Sequence, residues 1–165
     1  MNARARPGDG LRTMQVADLD AVMAIEVARY SFPWTRGNFI DSLAAGYRAR
    51  VWTEAGGRIV GYCVALPGAG EMHLLNLTVA APVQGRGLAR AMLDDLVQAA
   101  RARGDADLWL EVRASNERAR SLYQRHGFQE VGVRRGYYPA AHGQREDAIV
   151  MRAALHPQGQ ADAAH

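Results

Sequence analysis

Between Gly87 and Arg103 the apolar residues at 89, 92, 93, 96, 97 and 100 fall on one face of a helix that Gly104 closes. Two strand-like segments flank it, EMHLLNLTVA at 71–80 and DLWLEVR at 107–113. In the second, Leu108, Leu110 and Val112 alternate with Trp109, Glu111 and Arg113. A helix with one apolar face between two strands must bury that face on a sheet, so the chain is expected to be an α/β (α+β) domain.

The remaining elements follow from local signals. Asp18 is positioned to cap a helix carrying Leu19, Val22, Met23 and Ile25, which ends near Tyr30 before Pro33. A second helix starts at Thr35, and strands at 48–54 and 58–66 flank the turn Ala55-Gly56-Gly57. A further helix opens at Ser115 or Asn116 and stops at Gly127, and strands at 128–135 and 146–154 complete the set. The predicted order is one strand, two helices, three strands, helix, strand, helix, two strands. That order implies a mixed sheet covered by helices on both faces. The ends, 1–10 and 155–165, lack periodicity and read as flexible tails around a single domain at 11–154.

Composition removes several classes of chemistry. All twenty basic residues are arginine, so a Walker-A phosphate loop and a Schiff-base or pyridoxal enzyme both lack their amine. The lone Cys63 allows no internal disulfide and no CxxC pair, and the histidines at 73, 126, 142, 156 and 165 show no HxxxH spacing, so no metal site is expected. No apolar run approaches the ~18 residues of a membrane span and no signal peptide is visible, which points to a cytoplasmic protein without a membrane partner. A net charge of +3, with the arginines scattered, gives no nucleic-acid stripe.

The first functional signal is Gln84-Gly85-Arg86-Gly87-Leu88-Ala89, between the strand that Pro82 ends and the long helix. Glycines let the backbone approach a phosphate closely, successive N–H groups point at it, and the helix dipole favours its charge, with Arg86 and Arg90 as direct contacts. A glycine-rich helix entry without a ligand fits this segment equally well. Dinucleotide binding fits badly, because GxGxxG would need glycine where Arg90 stands.

The second signal is LEVRASN at 110–116 followed by LYQRHGF at 122–128. Together with the glycine loop it resembles the GNAT superfamily of N-acetyltransferases, which hold acetyl-CoA in a cleft between two splayed strands; the resemblance implies that the mixed sheet is mostly antiparallel. IE at 25–26, FPW at 32–34, LLNLTV at 74–79, RRGYYP at 134–139 and REDAIVM at 145–151 resemble, more narrowly, the ribosomal-protein-alanine N-acetyltransferases of the RimI type. The resemblance implies that the backbone of Leu77, Thr78 and Val79 takes the pantetheine arm. It implies that Gln84, Gly85, Arg86, Gly87, Leu88, Ala89 and Arg90 take the pyrophosphate and that Asn116 is a further cofactor contact. It makes Glu111 the general base, Tyr123 the general acid, and the substrate the N-terminus of a small-subunit ribosomal protein. Gly136 departs from the pattern, standing where the type often has a polar residue.

Direct transfer needs one group to deprotonate an ammonium and another to protonate a thiolate, and Glu111 and Tyr123 are residues of those types. Each also has a plainer role available: Glu111 as a structural acid paired with Arg113 and Tyr123 as a core tyrosine; Trp34, Tyr137 and Tyr138 read equally as substrate contacts or as loop packing. His73 is read as structural or solvated. The rival functions are a small-amine acetyltransferase, which would want acids such as Glu26 and Asp41 in its acceptor site, and a non-catalytic CoA-binding module.

Overall fold

The structure, a computed structural model, describes residues 10–155. Seven strands and four α-helices follow one another in the order the sequence predicts: β1 (Gly10–Thr13), α1 (Leu19–Arg29), α2 (Arg36–Ala44), β2 (Arg48–Glu54), β3 (Arg58–Pro67), β4 (Glu71–Val79), α3 (Leu88–Ala102), β5 (Asp107–Arg113), α4 (Glu117–Arg125), β6 (Gln129–Pro139) and β7 (Arg145–Ala154). The strand order of the open sheet is β1-β2-β3-β4-β5-β7-β6. β4 and β5 are parallel, while β1–β2, β2–β3, β5–β7 and β6–β7 are antiparallel. Among the described residues no helix is long and apolar enough to cross a membrane.

The expected tails lie almost wholly outside the described residues. At their inner edges the structure differs from the expectation: Gly10 already pairs with Thr53 in β1, and Leu155 is 4% exposed with its N–H on the Ala106 carbonyl.

By contacts the chain divides into two compact units. The first comprises the residues up to Leu66 together with Leu75–Asp94. Its core packs Leu19 and Val22 of α1 and Phe39 of α2 against Val51, Tyr62 and Val64 of β2 and β3. Each such side chain contributes about 1.5–3 kcal/mol of burial. Thr35 caps α2 as predicted, its hydroxyl accepting from Asn38 N–H at 3.1 Å. Asp18 does not cap α1. Its own backbone is helical, so the carboxylate turns back to accept from Gln15 N–H at 2.7 Å and to pair with Arg12.

The second unit comprises Pro67–Leu74 and the residues from Asp95 onward. Its central strand is β5, whose Leu108, Leu110 and Val112 are buried in the predicted alternation. β4 pairs with β5 only from Glu71↔Asp107 to Leu74↔Leu110, although both strands continue beyond. β6 runs to Pro139, farther than predicted, with a register irregularity between Arg134 and Tyr138. Gly136 sits inside that irregularity at φ +59, where a side-chain-bearing residue is strained, and its N–H donates to Asp147 at 2.8 Å. The glycine that departs from the resemblance pattern thus adopts the bulge conformation without the strain a side chain brings.

Candidate active site

In the first unit, the residues after β4 form a 3₁₀ turn at Ala81–Val83 and then an exposed loop entering α3. Gly85 and Gly87 both have φ +81, and nothing lies within 4 Å of where a Cβ would stand on either. The backbone there is therefore open to an approaching group. The first helical hydrogen bond of α3 runs from Ala91 N–H to the Gly87 carbonyl at 3.0 Å, which leaves Leu88, Ala89 and Arg90 among the amides that a helix start cannot satisfy internally. This geometry fits an anion such as a pyrophosphate. Arg86 reaches Glu54 at 3.8 Å, with both side chains partly exposed.

Leu77, Thr78 and Val79 end β4. The Val79 carbonyl is engaged by Arg29 Nε at 3.1 Å, so that group is spoken for within the protein. Thr78 is buried in a chain of polar contacts. Its hydroxyl donates to Asn76 Oδ1 at 2.7 Å and therefore accepts from Tyr30 at 2.6 Å. Asn76 Nδ2 in turn donates to Glu26 Oε1, which also accepts from the Tyr62 hydroxyl, while Glu26 Oε2 accepts the Trp34 backbone N–H. Glu26 is 2% exposed and fully engaged, so it does not present charge to a cationic small amine. Burial and the Glu26 charge hold the Tyr62 phenol far above its ordinary value.

In the second unit, Glu111 points from β5 toward His73 of β4 and Arg134 of β6. Its Oε2 meets His73 Nε2, and its Oε1 lies 3.3 Å from Arg134 Nε. Burial alone pushes the Glu111 carboxyl up, but His73 and then Arg134 outweigh it and hold the group below the ordinary glutamate range. Arg113, which stands on the same face of β5 as Glu111, pairs with Glu146 at 3.0 Å and lies 4.6 Å over the Tyr138 ring. The Tyr138 hydroxyl is pushed up to about 12, by burial first and then by the negative charge of Glu111.

Glu146 and Arg145 tie the start of β7 to the neighbouring backbone. Glu146 accepts from Ser115 N–H at 2.9 Å and pairs with Arg113, which fixes the turn from β5 into α4. Arg145 donates to the carbonyls of Gly136 and Tyr137, which holds the bulge of β6. Asn116 caps α4, its Oδ1 accepting from Ala119 N–H at 3.2 Å. That oxygen is therefore committed to the helix, and a cofactor contact falls to the amide NH₂. Tyr123 is 8% exposed, its ring edge-on to Phe128 at 5.6 Å.

The Trp34 ring lies 5.0 Å from that of Phe39, tilted by 52°, and Tyr137 is 46% exposed beside Arg134. Sequence reasoning left His73 aside. The signal for it exists only once β4 and β5 are known to pair in parallel, because His73 stands opposite Trp109 and so shares a sheet face with Glu111.

Comparison with known proteins places the chain in a family. The sequence profile of the Acetyltransferase (GNAT) family matches residues 19–128. The ribosomal protein bS18-alanine N-acetyltransferase of Escherichia coli K12 is 38% identical over 141 residues, covering 86% of this chain and 94% of that one. The enzyme of the same description from Haemophilus ducreyi is 34% identical, covering 86% and 97%. The crystal structure of the ribosomal-protein-S18-alanine N-acetyltransferase from Escherichia coli superposes with a TM-score of 0.83 at 36% identity, covering 92% of this chain and 97% of that one. The chain belongs to the GNAT family of acetyltransferases.

Proposed function

We propose that the protein transfers the acetyl group of acetyl-CoA to the N-terminal α-amine of a protein, and that its acceptor in the cytoplasm is the N-terminal alanine of ribosomal protein bS18. The observation that carries this reading is the 38% identity to an enzyme of that name across nearly the full length of both chains. The site residues are consistent with it. The open backbone at residues 84–90 and the N-terminus of α3 receive the pyrophosphate, and the end of β4 lies alongside the pantetheine arm.

Acetyl-CoA supplies an activated thioester when bound. Glu111, ionised and only 10% exposed, takes the proton that the ammonium must lose before nitrogen can attack. Tyr123 returns a proton to the departing thiolate. The chemistry favours an α-amine over a lysine: at pH 7 an amine of pKa about 8 costs about 1.4 kcal/mol to deprotonate, one of about 10.4 costs about 4.6. A single carboxylate held below its usual range suits the easier task.

The small-amine alternative is not favoured, because the buried Glu26 is committed to three donors of its own fold. Incubation with acetyl-CoA and a peptide array of varied first residues, read by mass spectrometry, tests the proposal. Acetylation confined to the α-amine of alanine-starting peptides supports it, and preferential acetylation of polyamines overturns it.

A further inference from the structure

We propose that His73 is a positioning residue for the transfer reaction, donating from Nε2–H to Glu111 Oε2 so that the carboxylate is held aimed and ionised. The inference rests on the acetyl-transfer reading above. Its basis is the arrangement around one side chain. Glu111 is only 10% exposed, so water has limited access to its oxygens and the protein supplies donors that an ionised carboxylate requires.

Two candidates reach it, one to each oxygen. Arg134 lies 3.3 Å from Oε1, but its side chain is 57% exposed, and a pair with so solvated a partner is strongly screened and contributes little. His73 is 32% exposed and makes the closer contact to Oε2. An ionised carboxylate is an acceptor only, so the ring nitrogen that meets Oε2 carries the hydrogen and His73 is an Nε2–H donor there.

Backbone geometry makes the contact reproducible. His73 lies within the four residues of β4 that pair with β5, one position before the pairing ends at Leu74↔Leu110. Its side chain stands on the face shared by Trp109 and Glu111 and is therefore fixed by a hydrogen-bonded ladder on one flank. Arg113 shares the Glu111 face of β5 and pairs with Glu146; from β6 the charged or titratable groups facing Glu111 are Arg134 and Tyr138. Neither replaces a donor to Oε2: Arg134 sits at Oε1, and Tyr138 senses the Glu111 charge from a distance as one that disfavours its own ionisation.

Taking the donor away leaves burial as the largest influence on Glu111, so its carboxyl titrates at higher pH and loses its aim. The proton balance of the reaction is unchanged, since His73 gains and loses nothing in the step. It acts only through Glu111.

The test compares His73→Leu, His73→Gln and Glu111→Gln with the wild type, following transfer to an alanine-starting peptide across pH. His73→Leu is expected to lower kcat about 10-fold or more with KM for the peptide within about two-fold, and to move the acid limb of kcat upward in pH. His73→Gln, which retains a side-chain donor, is expected to recover most of the rate. In the Glu111→Gln background, His73→Leu is expected to cost nothing further. Should His73→Leu keep its rate and acid limb within two-fold of wild type, or lose rate only in step with lost folding by circular dichroism, the proposal is overturned while the acetyl-transfer reading stands. Absence of transfer by the wild type to every peptide overturns that reading and this proposal together.

Discussion

The Tyr62 hydroxyl donates a 2.6 Å hydrogen bond to the Glu26 carboxylate, joining β3 to α1 in the interior of the first unit. The same carboxylate accepts Asn76 Nδ2 at 3.1 Å and the Trp34 backbone N–H at 2.9 Å. One buried anion thus fixes the end of α1, the segment that carries Phe32-Pro33-Trp34, and the middle of β4.

Glu26→Leu removes the common acceptor and strands three donors, each costing about 1–3 kcal/mol when left without a partner. A loss of about 3 kcal/mol or more is expected from urea denaturation. Tyr62→Phe deletes one of the three donors, and a loss nearer 1 kcal/mol is expected. Equal effects of the two substitutions would show that the carboxylate is not the hub.

Glu111→Gln keeps the size of the side chain and removes its charge. Turnover with an alanine-starting peptide is expected to fall about 10²- to 10⁴-fold, with acetyl-CoA affinity unchanged by calorimetry. Near-normal turnover at neutral pH would make Glu111 a structural acid.

Tyr123→Phe deletes only a hydroxyl from a ring that continues to pack on Phe128. Slower turnover at an unchanged melting temperature is expected if the phenol protonates the thiolate. An unchanged rate with a lowered melting temperature would place Tyr123 in the core alone.

At Gly87, φ of +81 is a conformation that a β-branched residue adopts only with strain. Gly87→Val is expected to displace the amides at the start of α3 and to abolish CoA binding in a folded protein. A folded variant that binds CoA with wild-type affinity in calorimetry would remove the loop from the site.

Acid stability follows from two depressed carboxyls. Asp18 is held low chiefly by its hydrogen bond from Arg12, and Glu111 by His73 and Arg134 against the opposing effect of burial. The unfolded chain binds these protons more readily than the folded one. Their contribution is therefore complete above the unfolded value near 4 and is lost as pH falls through the lower folded values. Asp18→Asn is expected to flatten the fall of melting temperature below about pH 4 and to leave its course between pH 6 and 8 parallel to wild type.

The order of all eleven elements was legible in the sequence, because apolar period, glycine and capping residues act within a few positions of one another. The 3.6-residue pattern ahead of Gly104, the alternation of DLWLEVR and the Thr35 cap are all local signals, and each appears where it was read. The glycine loop before α3 was legible for the same reason. Local reading failed first at Asp18, whose own backbone is helical, so that its carboxylate turns back to Gln15 and pairs with Arg12 instead of capping α1.

Which polar side chains meet in the interior was decided only by the tertiary structure. His73 and Glu111 are 38 positions apart and Glu26 and Asn76 are 50 apart. Arg113 reaches Glu146 because β7 lies beside β5. A buried charge takes whichever donor the strand register places within reach, and register between distant strands is set by the collective packing of the core, which no short stretch of sequence contains.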